Sequence, residues 1–255
     1  MLYIILPAFN EENNINSLLK KMVQIMKRSI INHDYTIVVV NDGSKDKTRK
    51  IVESFYSSES LKKNNSYKLS IISHKFNKGL AESLKTGLLF CLDRGSKGDI
   101  VITMDSDNTH SPELIISLLK KISDGNDIVI ASRYKKGSKT IGIPFHRRLL
   151  SSAGSIIFRA LFPIQQIKDY TSGYRAYRLE VLNKAFENIP NFISESGFSC
   201  MVDILLKLQR KYKRIIITEV PMILRYDLKK GRSKMNISKT IIDTFKLILK
   251  RKLIN

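Results

Sequence analysis

Two aspartates, Asp105 and Asp107, are the residues of this sequence best suited to chemistry. They close an apolar, β-branched run over residues 99–104 that predicts a buried strand. Because residues two apart in an extended chain point to the same side, both carboxylates can face one ligand. Carboxylate pairs of this kind hold Mg²⁺ or Mn²⁺ together with phosphate oxygens of a substrate. For the motif alone, an acidic turn before a helix is the competing interpretation, with Ser111 as N-cap and Pro112 at the first helical position.

The segments around this motif alternate between strand and helix patterns. Strands are predicted at residues 2–6, 35–40, 68–73, 99–104 and 127–132, and helices at 11–30, 47–56, 79–92 and 112–122. Repeated strand–helix units with right-handed crossovers build a mostly parallel sheet, whose ligands bind at the carboxyl ends of the strands. We therefore predict an α/β domain with a nucleotide site at that edge.

Polar loops follow three other predicted strands and reach the same edge. They span residues 7–12, 41–48 and 77–81, and each leads into a helix. In the second loop, Asp42 can accept hydrogen bonds from a base or ribose, and Gly43 allows a tight turn close to a ligand. Ordinary turn chemistry explains any one of these loops, but four of them at one edge favour a site.

The charge balance points to a polyanionic partner. The 44 Lys and Arg residues outnumber the 23 Asp and Glu, a formal net charge of +21 that suits nucleic acid, anionic lipid or a phosphorylated substrate. Nucleic acid is disfavoured as a partner, because the sequence has no helix-turn-helix signature, zinc-ligand spacing or aromatic-basic sheet motif. Cys91 and Cys200 lie in apolar helical patterns without a pairing signature, which favours a reducing, cytosolic compartment. We find neither a signal-peptide pattern nor an apolar run long enough to span a bilayer.

Six blocks together resemble the inverting family 2 glycosyltransferases of GT-A fold, and in particular the dolichyl- or polyprenyl-phosphate mannose and glucose synthases. The blocks are Pro7-Ala-Phe-Asn-Glu-Glu, Val40-Asn-Asp-Gly-Ser-Lys-Asp-Lys-Thr, Asn77-Lys-Gly-Leu, Asp105-Ser-Asp-Asn-Thr-His, Ala131-Ser-Arg-Tyr and Asp169-Tyr-Thr-Ser-Gly-Tyr-Arg-Ala-Tyr. The resemblance covers residues 2 to about 235. It implies a single Rossmann-like GT-A domain over 1–235, with a nucleotide-sugar half (1–134) and an acceptor half (135–235), followed by a basic amphipathic helix over 236–255.

The resemblance also implies roles for the residues of the first half. Donor-binding residues would be Pro7, Ala8, Glu11, Asp42 and Asp105. A Mg²⁺ or Mn²⁺ ion on the donor diphosphate would be held by Asp105, Asp107 and Thr109. Asp105, Asp107 and Arg133 are the expected catalytic residues, and the expected reaction moves a hexose from a GDP-mannose or UDP-glucose type of donor to a polyprenyl or dolichyl phosphate.

In the second half the resemblance implies cationic contacts to phosphate. The acceptor phosphate would meet Arg133, Arg147, Arg148 and Arg175, whose planar guanidinium groups pair with two oxygens at once. A basic loop over residues 227–234 would supply further phosphate contacts through Lys229, Lys230, Arg232 and Lys234. For Arg147 and Arg148 a solvated helix face is the alternative. The rival function is a family 2 glycosyltransferase that acts on a polysaccharide or another non-lipid acceptor.

Three departures from the family pattern leave the sugar open. Asn41 stands where the family often has a second Asp, so base recognition is expected to rest on Asp42 alone. Asp203 replaces a longer Glu, which leaves its role undefined, and Leu228 stands at an Arg position of the basic loop.

Two apolar, basic segments predict attachment to a membrane surface. Residues 145–162 read as an amphipathic helix near the membrane face, with core packing as the alternative. Residues 237–253 place Ile237, Ile241, Phe245, Ile248 and Leu249 on one side and lysines elsewhere. We expect a peripheral protein on the cytoplasmic face, held by anionic lipid or by a separate membrane subunit.

Overall fold

The fold is built on a seven-stranded, mostly parallel sheet. The structure is a computed structural model that describes residues 1–28, 34–60, 67–197, 199–231 and 237–253. Its strands are β1 (Leu2–Ala8), β2 (Tyr35–Asn41), β3 (Tyr67–Ser73), β4 (Ile100–Thr103), β5 (Ile128–Ser132), β6 (Lys139–Ile141), β7 (Arg175–Arg178), β8 (Ile217–Pro221) and β9 (Ile223–Arg225). The large sheet has the order β3-β2-β1-β4-β7-β5-β8, and β6 pairs with β9 in a small separate sheet. The five strands predicted in the first half are confirmed to within two residues at each end.

Eight α-helices are described. They are α1 (Ile15–Arg28), α2 (Thr48–Ser60), α3 (Leu80–Arg94), α4 (Leu114–Ser123), α5 (Phe145–Leu161), α6 (Leu179–Asn188), α7 (Ser199–Lys211) and α8 (Ile237–Leu253). The predicted first helix begins four residues later than expected, because the N–H groups of Asn14 and Ile15 bond to the Glu11 carbonyl in a turn. That turn places Glu11 and Asn14 at the carboxyl end of β1.

The strands separate two apolar cores, one on each face of the sheet. Along β1, Leu2, Ile4 and Leu6 pack with the buried sides of α1 and α4. Tyr3 and Ile5 point to the opposite face and pack with α3 and α7. This alternation follows from the two-residue period of a strand, and burial on both faces explains why β1 and β2 are almost continuously apolar.

β7 and α6 were not predicted, and β7 reorganises the sheet. It runs antiparallel to both of its neighbours, β4 and β5, and so inserts the second half of the chain into the middle of the sheet. Near the end of the chain, β8 and β9 are separate strands that belong to different sheets. β8 ends at Pro221, which has no N–H for a ladder, and Ile223–Arg225 pairs with β6 instead.

α8 packs against α7 through one apolar side and a buried ion pair. Leu247 is fully buried between the helices, whereas Phe245 is 60% exposed on the other side. The Asp203 carboxylate on α7 is buried and accepts a hydrogen bond from Arg251 Nε on α8 at 2.7 Å. It also forms an ion pair with the Lys207 ammonium on its own helix, at 2.9 Å. Asp203 therefore holds the C-terminal helix in place. None of the described helices combines the length and apolar character needed to cross a bilayer.

Candidate active site

The loops that carry the predicted donor and metal residues meet where the strand order reverses. β1 lies between β2 and β4, so the loops after these three strands open into one crevice, the place where α/β sheets bind ligands. The Ser106 hydroxyl donates to the Pro7 carbonyl at 2.7 Å, and the Asp42 N–H donates to the Ala8 carbonyl at 2.8 Å. These bonds join the three loops into one rim.

Asp107 is held in a fixed orientation and carries its charge. One oxygen accepts both the N–H and the hydroxyl of Thr109, at 3.1 and 2.6 Å, and the other lies 2.5 Å from the Lys229 ammonium. Burial alone would raise the pKa of Asp107, but the charge and hydrogen bond of Lys229 and the bond from Thr109 lower it overall. The Thr109 hydroxyl thus orients Asp107 from a buried position.

Asp105 is positioned by His110. The Asp105 N–H donates to His110 Nδ1 at 3.0 Å, and His110 Nε2 lies 3.7 Å from the Asp105 carboxylate. The imidazole is itself fixed by stacking on Tyr174, with ring centroids 5.0 Å apart. Loss of hydration and the nearby charge of Asp107 raise the pKa of Asp105, while His110 acts in the opposite direction. An added cation would favour the ionised form of both aspartates.

The donor set of this crevice fits a hard divalent cation. Asp105 and Asp107 supply carboxylate oxygens, which Mg²⁺ and Mn²⁺ prefer. The position beside Asp107 already stabilises a positive charge, because the Lys229 ammonium lies there. If a cation binds here, Asp105 and Asp107 would hold it, and Thr109 would orient Asp107.

The predicted donor residues lie on or beside the loops of the crevice, but the Asp42 carboxylate is occupied by hydrogen bonds within the protein. Its two carboxylate oxygens accept hydrogen bonds from His74 Nδ1 at 2.7 Å and from the N–H groups of Lys78 and Gly79 at 2.9 and 2.8 Å. It therefore shapes the loop after β3, and direct contact with a base stays a prediction. Gly43 has φ +65°, and a Cβ there would come within 2.4 Å of the Phe76 carbonyl carbon. The tight turn at Gly43 thus lets the loop after β2 pack closely against the loop after β3.

Arg133 is paired with a buried carboxylate that the sequence did not single out. Asp169 has no exposed surface and accepts the Arg133 N–H at 2.9 Å, Nε at 2.8 Å and Nη2 at 2.6 Å. Nη2 also donates to the Thr171 hydroxyl. Behind this pair, the Glu219 carboxylate accepts the N–H groups of Lys168 and Asp169, each at 2.7 Å. The Arg133 side chain remains 19% exposed, and its charge acts to lower the pKa of Asp105.

The buried pair predicts a specific loss of stability in acid. Burial alone would raise the pKa of Asp169, but the charge and hydrogen bonds of Arg133 lower it below the ordinary value. A depressed pKa in the folded state stabilises the fold above the unfolded value of about 3.9 and loses that effect as the pH falls through the folded value. Between pH 5 and 8, wild type should exceed Asp169→Asn in free energy of unfolding by a constant amount. Urea titrations should show this difference shrinking below about pH 4. A difference that does not change with pH would contradict the assignment.

The structure overturns the expectation for Arg175. It is fully buried on β7, and its guanidinium donates to the carbonyls of Ser172, Met201 and Tyr170 at 2.7 to 2.9 Å. A guanidinium enclosed by three carbonyls cannot reach an acceptor phosphate, so Arg175 stabilises the loop that ends in Gly173. That loop borders the acidic pair, because the Thr103 hydroxyl donates to the Gly173 carbonyl at 2.8 Å.

The remaining cations lie around the crevice on two elements. Arg147 on α5 donates to the Tyr226 hydroxyl at 2.7 Å, which links α5 to the start of the basic loop, and Arg148 is exposed on the same helix. In the basic loop, Lys229 reaches Asp107, and the Lys230 main chain bonds to Asn14. The predicted phosphate contacts Arg232 and Lys234 lie outside the described residues.

Five residues that build the site were not assigned a role from the sequence. They are Asn14, His74, His110, Asp169 and Tyr174. The first four each bond to a residue that was predicted, and Tyr174 stacks on His110. His110, Asp169 and Tyr174 lie inside the blocks quoted above, and Asn14 lies two residues after one, so their positions beside predicted residues could have pointed to them. His74 lies three residues before a block, and nothing in the sequence pointed to it.

Known proteins place this chain in one family. Residues 3–186 match the model of glycosyl transferase family 2. The chain is 32% identical over 241 residues to a dolichol-phosphate mannosyltransferase of Pyrococcus furiosus, covering 94% of this chain and 60% of that protein. It is 28% identical to an undecaprenyl-phosphate mannosyltransferase of Micrococcus luteus, over 91% of this chain and 86% of the relative. A similar solved structure is glucosyl-3-phosphoglycerate synthase from Mycobacterium tuberculosis, in complex with Mn²⁺, UDP and phosphoglyceric acid. The TM-score is 0.66 at 18% sequence identity, and the match covers 97% of this chain and 76% of that one.

This likeness confirms the predicted GT-A fold. The chain spans only 60% of the length of the Pyrococcus protein, so the activity of that whole protein does not follow from the match. The family model, however, covers well over half of the sequence and spans every strand from β1 to β7. The chain belongs to glycosyl transferase family 2.

Proposed function

We propose that this glycosyltransferase moves a hexose from a nucleotide-sugar of the GDP-mannose or UDP-glucose type to a polyprenyl or dolichyl phosphate. The observation that carries the proposal is the arrangement of charge in the crevice. The charges of Arg133 and Lys229 act on the two carboxylates that are suited to a cation. Arg147 lies on α5, a helix with exposed apolar side chains, and bonds to Tyr226 at the start of the basic loop. The names of the Pyrococcus and Micrococcus relatives support a lipid-phosphate acceptor.

The chain's own residues would position the reactants and manage charge. A polyprenyl phosphate is anionic at neutral pH, so attack on the anomeric carbon needs alignment more than a general base. The new bond joins a phosphate oxygen to the anomeric carbon, the bond to the nucleoside diphosphate breaks, and in-line attack inverts the configuration. Mg²⁺ or Mn²⁺, when bound, would neutralise the departing diphosphate. Arg133 would hold the acceptor phosphate, and Lys229 would face the donor side.

We further propose that α5 and α8 form the contact with the membrane. On α5, Phe145 is 79% exposed and Leu149 is 60% exposed, so packing in the core does not account for them. On α8, Phe245 and Leu249 are exposed in the same way. Exposed apolar side chains beside lysines and arginines suit a surface of anionic lipid, where each cation contributes on the order of 1 kcal/mol. A cytoplasmic face is the expected side.

An acceptor panel tests the function. We expect the full chain, with Mg²⁺ or Mn²⁺ and a set of GDP- and UDP-sugars, to glycosylate a short-chain polyprenyl phosphate carried in vesicles. Anionic vesicles should support faster transfer than neutral ones, and added salt should reduce the difference, because screening weakens surface attraction. The product should carry the inverted anomer by NMR. Transfer to oligosaccharides or polysaccharides, with none to the lipid, would instead establish the non-lipid alternative.

A further inference from the structure

A single buried amide connects three segments of the crevice. Asn14 is 1% exposed and lies in the turn after β1. Its side-chain nitrogen donates to the Glu11 carboxylate at 2.7 Å and to the Lys230 carbonyl at 2.9 Å, and its side-chain oxygen accepts the Lys230 N–H at 3.0 Å. The Asn108 amide donates to the Asn14 carbonyl at 3.2 Å. Asn14 thus joins a donor-side carboxylate, the loop of the acidic pair and the basic loop.

The bond to Lys230 has a geometry that few side chains can supply. Asn14 binds both the N–H and the C=O of one main-chain residue that is 216 positions away. An amide carries a donor and an acceptor side by side, whereas a carboxylate only accepts, and alanine does neither. The pair therefore fixes the main chain of the basic loop at the residue next to Lys229.

The consequence for Lys229 is positional. Its ammonium lies 2.5 Å from Asp107, and its side chain is only 11% exposed. A lysine side chain is long and has many rotamers, so holding it at a buried carboxylate costs conformational entropy unless its backbone is already fixed. In the basic loop, the backbone next to Lys229 is fixed at Lys230, whose main chain bonds to the Asn14 side chain.

We propose that Asn14 is a positioning residue that holds the described part of the basic loop, residues 227–231, beside the acidic pair and so delivers Lys229 to that pair and to the donor diphosphate. The diphosphate part of this inference rests on the proposed function. The loop part does not, because it concerns the protein without substrate.

Limited proteolysis of the full chain tests the loop part. Trypsin cleaves after Lys229 and Lys230, and mass spectrometry identifies each cut. Asn14→Ala should be cut after Lys230 about tenfold faster than wild type, the size expected when one or two neutral hydrogen bonds hold a loop closed. Cleavage after the exposed Lys97, far from the loop in sequence, should be unchanged. The matched control is Asn13→Ala, which alters the exposed neighbouring asparagine and should behave as wild type at both positions.

A double-mutant cycle tests the link to Lys229. Binding of GDP and of UDP with Mn²⁺, measured by calorimetry without lipid, should weaken about tenfold in Lys229→Met, the loss expected for one charge-assisted hydrogen bond. Asn14→Ala should weaken binding by a similar factor, and the double variant by no more than either single variant. Additive losses would overturn the inference, as would wild-type cleavage after Lys230 or a rise matched at Lys97. Absence of nucleotide binding in every protein would reject the proposed function, and the cleavage rates would still decide the role of Asn14.

Discussion

Asp107→Asn should abolish sugar transfer while leaving the fold intact. The substitution removes a full charge from the carboxylate pair but keeps an oxygen for the two hydrogen bonds from Thr109. Neutralising a departing diphosphate contributes several kcal/mol to a transition state, so the turnover number should fall on the order of a thousandfold or more. Steady-state assays with a chelator, then with added Mg²⁺ or Mn²⁺, would show the same dependence in wild type. Calorimetry of Mn²⁺ binding provides a readout that is independent of turnover.

Asp124→Asn is the matched control for this prediction. Asp124 is exposed at the end of α4 and pairs with Lys121 on the surface, so the same chemical change there should leave transfer and Mn²⁺ binding unaltered. Circular dichroism should show that Asp107→Asn is folded at the assay temperature, with a melting temperature lowered only by the loss of the ion pair with Lys229. Near-wild-type turnover in Asp107→Asn would remove the acidic pair from the mechanism.

The parallel part of the fold could be predicted because its signals are local. β1, β2 and β4 are apolar runs bounded by polar loops, and each is followed by a helix with an apolar stripe. β7 lacks such a signal, since Arg-Ala-Tyr-Arg contains two charged residues in four. Its stability in the sheet comes from pairing with β4 and β5, and partners that distant in sequence leave no periodicity to detect.

The same distinction holds within the site. Asp105 and Asp107 could be predicted because their spacing favours one side of an extended chain and because other polar loops follow the neighbouring strands. Arg175 could not be placed correctly, because a family block gives its position but not which carbonyls enclose its guanidinium. The contact between Asn14 and Lys230 was equally inaccessible, since it depends on how the chain returns to the first loop after 216 residues.

Arg133→Ala should lower both stability and activity, and the structure explains why the two losses must be separated. Removing the guanidinium leaves Asp169 buried without its ion pair, a change that costs about 3 to 5 kcal/mol of unfolding free energy. For a chain of this size the melting temperature should fall by roughly 10 °C. Calorimetric melting of Arg133→Ala beside Arg214→Ala, an exposed arginine just before β8, measures this loss of stability. Equal melting temperatures for the two variants would contradict the buried pair.

Arg133→Lys isolates the effect on the acceptor. The ammonium keeps a positive charge beside Asp169, so most of the stability should remain, but a point charge cannot bind a carboxylate and a phosphate with the geometry of a guanidinium. We expect kcat/KM for the polyprenyl phosphate to fall about ten- to hundredfold, the loss that follows from one charge-assisted contact of about 1.5 to 3 kcal/mol. Donor binding, measured without lipid, should stay close to wild type, because the acidic pair and Lys229 are untouched. If donor affinity falls by the same factor, Arg133 belongs to the donor side of the crevice, and the acceptor phosphate must be held by Arg147 and Arg148 on α5.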